Sequence, residues 1–488
     1  MSDVTAREQR SPIDRFFRIS ERGSTVGREV RGGVVTFVTM AYIIVLNPLI
    51  LGSYSADDPS AAKDVTGAIL PVDQVTAVTA LVAGVMTILM GVVANFPFAI
   101  AAGLGLNTLV AVSLAPMMTW PAVMGLVLVN GIVVLLLVVT GVRTMVFNAV
   151  PQPLKGSIAV GIGLFIALVG LVDAGFVRRV PDAAGTTVPV QLGIDGSIAS
   201  WPTMVFVVTL VVMGILVARN VKGAILLGIL FGTVLSIVIE AIVKAGPSLG
   251  VDPKGWNLGY PALPDAIFSL PDLSLVGAFN FDAWVQIPAL TAALLVFTLV
   301  LTDFFDTIGT MTGLGQEARL TDKEGRLPNV GKGLFIDSLG AVAGGAASSS
   351  SNTVFVESAA GIGEGARTGL ANVVTGLLFI AAMFFTPLYQ VVPIEAAAPA
   401  LVIVGAMMVR QITEIDFRDF AVALPAFLTI VVMPFTYSIA NGIGAGFVSY
   451  VIIQAVTGKA RQVHPLMWIV SAAFIVYFAI DPIQSTLN

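Results

Sequence analysis

The sequence predicts an all-α polytopic membrane protein, with about 14 transmembrane spans arranged as two inverted repeats of seven spans each. Three observations lead there. Apolar runs of about 17 to 25 residues, the length of a helix that crosses a bilayer, recur along nearly the whole chain. Only 11% of the 488 residues are charged while 56% are hydrophobic, against roughly 25% charged in soluble domains, and the mean hydropathy is +0.94. A polar stretch, 244–285, divides the apolar runs up to residue 457 into two sets of seven. An odd number of crossings in each set gives the halves opposite orientations.

The elements follow in order. A leader, 1–30, is rich in arginine: Arg7, Arg10, Arg15, Arg18, Arg22 and Arg28, with Arg31 just beyond it. Lys and Arg in short loops favour the cytoplasm, so the N-terminus is placed inside, in a multi-pass protein of the cell membrane. The first repeat, 31–243, holds runs at 31–51, 74–94, 98–113, 120–141, 151–172, 202–218 and 222–243. The connection 244–285 then falls outside. The second repeat, 286–457, holds runs at 286–312, 333–347, 352–362, 369–389, 397–410, 420–436 and 440–457. A tail, 458–488, carries one more apolar run, 465–482. Stepping across one membrane at a time puts most remaining Lys and Arg inside. Arg178 and Arg179 are the exception, in an outer loop.

Composition also excludes. Without cysteine there is no disulfide, thiolate nucleophile or thiolate-bound metal, and the single histidine, His464, lies in a loop, so carboxylates inherit any proton relay. The net charge of -5 is spread over many loops with no basic face, which argues against nucleic acid. No metal or cofactor is expected.

The third run of each half is unusual. "ANFPFAIAAGLGLNTLVAVSL" (94–114) and "GGAASSSSNTVFVESAAGIGEG" (344–365) are short, rich in Gly and in Ala or Ser, and open with residues that favour extended backbone. Broken segments at matching positions point to a site at mid-depth, because half-helix ends expose backbone donors and acceptors. Four polar side chains stand at that depth: Asn107 in the third run, Asp303 and Asp306 in the eighth, and Glu357 in the tenth. A carboxylate at the bilayer centre costs about 2.5–3.5 kcal/mol on insertion scales, so such acids usually mark a pathway. Each also has a plain structural reading. Asn107 suits a helix-to-helix hydrogen bond, Asp303 a wet or N–H-bonded structural acid, and Ser348 to Ser351 close helix packing. Asp337 fits either role. Phe96, Phe98 and Phe355 suit stacking on a flat ligand or simple packing.

The stretches "EVRGGVVTFVTMAYIIVLNPLIL" (29–51), "AAGLGLNTLVA" (101–111), "LKGSIAVGIGLFIALVGL" (154–171), "DFFDTIGTMTG" (303–313), "FVESAAGIGEGARTGL" (355–370) and "PAFLTIVVMPFTYSIANGIGAGF" (425–447) together resemble the AzgA-like purine permeases, of the nucleobase:cation symporter-2 family. The resemblance runs from about residue 14 to 482 and implies a core domain of spans 1–4 and 8–11, and a gate domain of spans 5–7 and 12–14. It implies a short strand plus a half-helix in spans 3 and 10, and a homodimer. It also implies import of purine nucleobases (hypoxanthine, guanine, adenine) by proton symport. Matched motif by motif, Asp306, Glu357 and Asn107 fall on substrate-contacting positions. Phe355 and Phe98 are candidates for stacking on the base, and Glu357, Asp306 or Asp303 for carrying the proton. One position departs: Ala102 stands where relatives usually have Pro. The alternative is an anion transporter of the same seven-plus-seven fold, whose site would call for a basic residue where this chain has acids. An intramembrane aspartyl protease is disfavoured because its Gly-x-Gly-Asp motif is absent.

Overall fold

The computed structural model describes residues 11–53, 55–56, 61–141, 150–179, 190–248, 254–257, 260–262, 266–321, 327–389 and 391–487. Within these, the side chains at 179, 290, 305, 306, 308, 309, 312, 313, 316, 414, 440, 477 and 480–487 lie outside the description.

A short amphipathic helix, α1 (Pro12–Phe17), precedes the first span. That span is α2 (Val26–Met40) and α3 (Ile43–Leu51), one apolar run interrupted where the Ile44 N–H reaches back only to the Ala41 carbonyl, at 3.1 Å. Then come α4 (Val72–Leu89), strand β1 (Ile100–Ala102), half-helix α5 (Leu104–Leu109) and α6 (Trp120–Val139). Next are α7 (Gln152–Asp173), α8 (Trp201–Ala218) and α9 (Ala224–Val243). The second half supplies α10 (Ala289–Glu317), α11 (Val330–Ala346), strand β2 (Asn352–Val354), half-helix α12 (Ser358–Gly363) and α13 (Gly369–Ala382). It continues with α14 (Ile394–Met408), α15 (Phe420–Thr436) and α16 (Ile439–Val456). The tail run is α17 (Pro465–Leu487), which packs on α16: Phe474 meets Phe447 edge-on and the Ser471 hydroxyl donates to the Phe447 carbonyl at 3.1 Å. At about 1.5 Å per residue it is long enough to cross a bilayer.

Among the described residues, 8 helices are long and apolar enough to cross a membrane. The third and tenth runs are not among them, because each is split into strand and half-helix as their composition predicts.

The helices sort by packing into two groups, each drawing on both halves of the chain. One contains α2 to α6 and α10 to α13, with the paired strands; the other contains α7 to α9 and α14 to α16. Lipid offers no hydrophobic drive between apolar helices, so close contact depends on small residues that let backbones approach. Glycine supplies this at each main crossing. Gly84 of α4 faces Gly376 of α13, Gly131 of α6 faces Ala341 and Val342 of α11, and Gly163 of α7 faces Gly405 of α14. Because each crossing pairs an element of the first half with one of the second, these contacts interlock the halves.

The leader, the α8–α9 turn and the segment after α12 meet at one end of the bundle. There the Arg22 guanidinium donates to the carbonyls of Asn95 (2.5 Å) and Arg367 (2.9 Å). Glu29, fully buried, accepts from the N–H groups of Arg367 (2.9 Å) and Thr368 (3.2 Å). At the opposite end the Asp64 carboxylate accepts from Thr66, Ala68 and the Trp120 N–H. Arg178, the exception to the charge rule, donates from its guanidinium to the Gly175 carbonyl at 3.2 Å.

Gly369 and Gly91 touch backbone to backbone, and a Cβ on Gly369 would collide with the Gly91 carbonyl. Gly369→Val is therefore expected to destabilise the protein by about 1–3 kcal/mol or more, as overpacking does. A thermal-unfolding midpoint in detergent equal to that of the parent would contradict this crossing.

Candidate functional site

Two segments leave helical geometry inside the bundle, and they satisfy each other. Strand β1 runs antiparallel to β2 with Ile100 opposite Val354, Ala101 opposite Thr353 and Ala102 opposite Asn352. The ladder is extended by the Gly103 N–H to the Ser351 carbonyl (2.9 Å) and the Phe355 N–H to the Ala99 carbonyl (2.9 Å). An unpaired backbone group in hydrocarbon costs several kcal/mol, so neither segment stays extended without the other. Half-helices α5 and α12 leave this crossing, which fixes Asn107 on α5 and Glu357 at the start of α12. Ala102, where relatives usually have Pro, pairs with Asn352 as part of the strand.

Glu357 is half-buried, and its Oε1 accepts a hydrogen bond of 2.5 Å from the Tyr42 hydroxyl. Its carbonyl accepts from Thr39 at 3.4 Å. Asn107 is fully buried, and neither its amide nitrogen nor its carbonyl oxygen has a hydrogen-bond partner among the described residues. Such a group costs about 1–3 kcal/mol unless something satisfies it.

The remaining residues singled out from sequence divide. Asp303, buried to 1% exposure, accepts from Asn130 (3.2 Å) and from the Ser351 hydroxyl (3.0 Å). It thus ties α10 and α6 to the start of β2. Asp306 lies on α10 one turn further on, and its side chain is outside the described residues. Asp337 of α11 accepts from Thr307 (2.8 Å) and Thr353 (3.3 Å), bracing β2 from α11. Phe98 is fully buried and stacked on Phe96, with ring centroids 4.9 Å apart, so it packs inside the bundle. Phe355, 6% exposed, continues β2 two residues before Glu357. The serine run does more than make space. Ser348 and Ser350 adopt left-handed backbone (φ 58° and 66°), reversing the chain between α11 and β2.

Sequence reasoning missed Tyr42, Asn130 and Thr353. Asn130 was the most visible, the sole amide in an otherwise apolar run. Tyr42 carried no signal, since a tyrosine within "TMAYIIVL" reads as apolar.

The chain matches the family model Xan_ur_permease, described as a Permease family, over residues 27–445. It is 37% identical over 469 residues to the guanine/hypoxanthine permease PbuG of Bacillus subtilis, covering 95% of this chain and 98% of that one. It is 34% identical over 472 residues to the adenine permease AdeP of Escherichia coli, covering 95% of each chain. Among solved structures it resembles the transmembrane domain of the cyanobacterial bicarbonate transporter BicA, with a TM-score of 0.59 at 13% identity over 86% of this chain and 96% of that one. At that identity the likeness concerns the fold.

The Tyr42 hydroxyl donates to the Glu357 carboxyl, and such a bond contributes about 0.5–1.5 kcal/mol when the acid is neutral and about 1.5–3 kcal/mol when it is charged. Tyr42→Phe is expected to lower thermal stability by that amount with Glu357 present and by clearly less in a Glu357→Ala background, which has no side-chain acceptor. Equal losses in both backgrounds, read from unfolding midpoints as a double-mutant cycle, would show that the bond contributes nothing.

Proposed function

The chain belongs to the Xan_ur_permease family of permeases, and from that premise we propose that it imports purine nucleobases by proton symport through alternating access. The observation that carries this reading is likeness over 95% of the chain to proteins named guanine/hypoxanthine and adenine permeases. The chemistry at the strand crossing agrees with it. A purine is flat and neutral, with ring N–H donors and ring nitrogen acceptors, and needs apolar walls with a few placed polar partners. Glu357 offers an acceptor for a ring N–H, and the Asn107 carboxamide offers both donor and acceptor. Asp306 contacts the base from α10, with Phe355 as an apolar wall beside Glu357 and Phe98 as the expected second wall.

In this reading the proton rides on Glu357 or Asp306. Asp303 was a third candidate; its bonds to Asn130 and Ser351 favour a structural role. The two packing groups act as core and gate, 31–243 and 286–457 are the inverted repeats, and a homodimer forms through the gate face in the cell membrane with the N-terminus in the cytoplasm. The anion-transporter alternative rests on fold likeness alone.

The test is a panel of radiolabelled bases in cells lacking their own purine carriers, with and without a protonophore. Hypoxanthine uptake should collapse with the protonophore and be displaced by guanine or adenine but weakly by uracil. Glu357→Gln and Asp306→Asn should each abolish pH-driven uptake at unchanged membrane abundance. Normal accumulation in both variants would sink the site, and strong displacement by uracil would change the substrate class.

A further inference from the structure

Half-helix α12 has an acid at each end: Glu357 precedes its first residue and Glu364 follows its last. The site reading uses only the first. Glu364 is 14% exposed, and its carboxylate is shared by two cations from different parts of the molecule. Arg31 of α2 pairs with one oxygen at 2.8 Å and also donates to the Glu364 carbonyl at 3.2 Å. Lys222 pairs with the other oxygen. Arg31 belongs to the same packing group as α12, whereas Lys222 sits in the α8–α9 turn of the other group.

Two further features make this contact specific. The turn bearing Lys222 is tight, with Asn220 and Gly223 both at positive φ (54° and 70°), and Gly223 lies against Val38 of α2 where a Cβ would come within 2.7 Å of the Val38 side chain. On the other side, α12 rests directly on α2: a Cβ at Gly32 would meet Ala366 at 2.6 Å and the Gly361 carbonyl at 2.8 Å. With Arg31 of α2 bonded to Glu364, and Tyr42 just past the end of α2 bonded to Glu357, α12 is tied to the first span at both its ends.

We propose that Lys222 and Glu364 form a latch closing the leader end of the transport path, and that the α2–α12 pair transmits movement at Glu357 to it. The proposal rests on the alternating-access reading above. Opening toward the leader end requires the second group to part from α2, and Lys222–Glu364 is a charged tie across that seam. An ion pair with one partner well exposed is weak enough to break in every cycle. It still biases which end is closed at rest.

The chain has no native cysteine, so Lys222→Cys combined with Glu364→Cys in the full-length protein gives a clean cross-linking pair. In membrane vesicles the pair is expected to form a disulfide or accept a short bifunctional maleimide, to lose uptake when joined, and to regain it on reduction where a disulfide was formed. Failure to cross-link, or undiminished uptake by the joined protein, overturns the latch. Cross-linking yield needs no knowledge of the cargo. If the pair joins but no purine is carried by the parent, it is the substrate reading that fails. As a milder variant, Lys222→Gln is expected to raise the apparent KM for uptake about two- to fivefold at unchanged abundance, with Lys222→Arg near the parent value. An unchanged KM in Lys222→Gln also counts against the latch.

Discussion

The antiparallel pairing of two three-residue strands is the constraint on which the rest of this molecule depends. In a lipid environment a chain can abandon the helix only where its backbone groups find partners. Here the third and tenth runs do so where Ile100–Ala102 and Asn352–Val354 lie against each other, with the Thr87 hydroxyl serving the N–H and carbonyl of Ile100. The pairing joins the two halves of the sequence at the level of hydrogen bonds. It also creates two half-helices whose first turns hold Asn107 and Glu357.

That short ladder is too small to stand alone, and the surrounding acids brace it. Asp303 binds Ser351 just before β2 and Asp337 binds Thr353 within it, so carboxylates of α10 and α11 grip the same strand from two neighbouring helices. Asn47 of α3 adds a bond of 3.1 Å to the Ser349 carbonyl. Acids at membrane depth are commonly assumed to serve the transported species. In this protein the Asp303 and Asp337 carboxylates accept from residues of the strand segment, while the half-buried Glu357 accepts from the Tyr42 hydroxyl.

Glycine-lined crossings bring helix backbones into contact inside each packing group. Between the groups, α5 meets α7 at Gly105 and Ile162, and the α8–α9 turn meets α2 at Gly223 and Val38. The tail helix α17 extends this arrangement, because Phe474 touches Phe447 of α16 and Phe297 of α10, one from each group.

Hydropathy alone determined that the chain crosses a membrane many times, because apolar length is a local property that no packing can reverse. Composition also located the two interrupted runs, since Gly- and Ser-rich stretches cannot hold a lipid-facing helix, and it marked Asp303, Asp306, Glu357 and Asn107 as out of place. What each polar group does was decided only by the tertiary structure. Whether Asp303 braces a strand or faces a cavity depends on Asn130 and Ser351, which lie 173 and 48 residues away. Tyr42 becomes a partner of Glu357 across 315 residues by the same kind of contact. Hydrogen bonding is short-ranged and directional, so its partners are set by how helices cross in space, and no pattern along the chain encodes that.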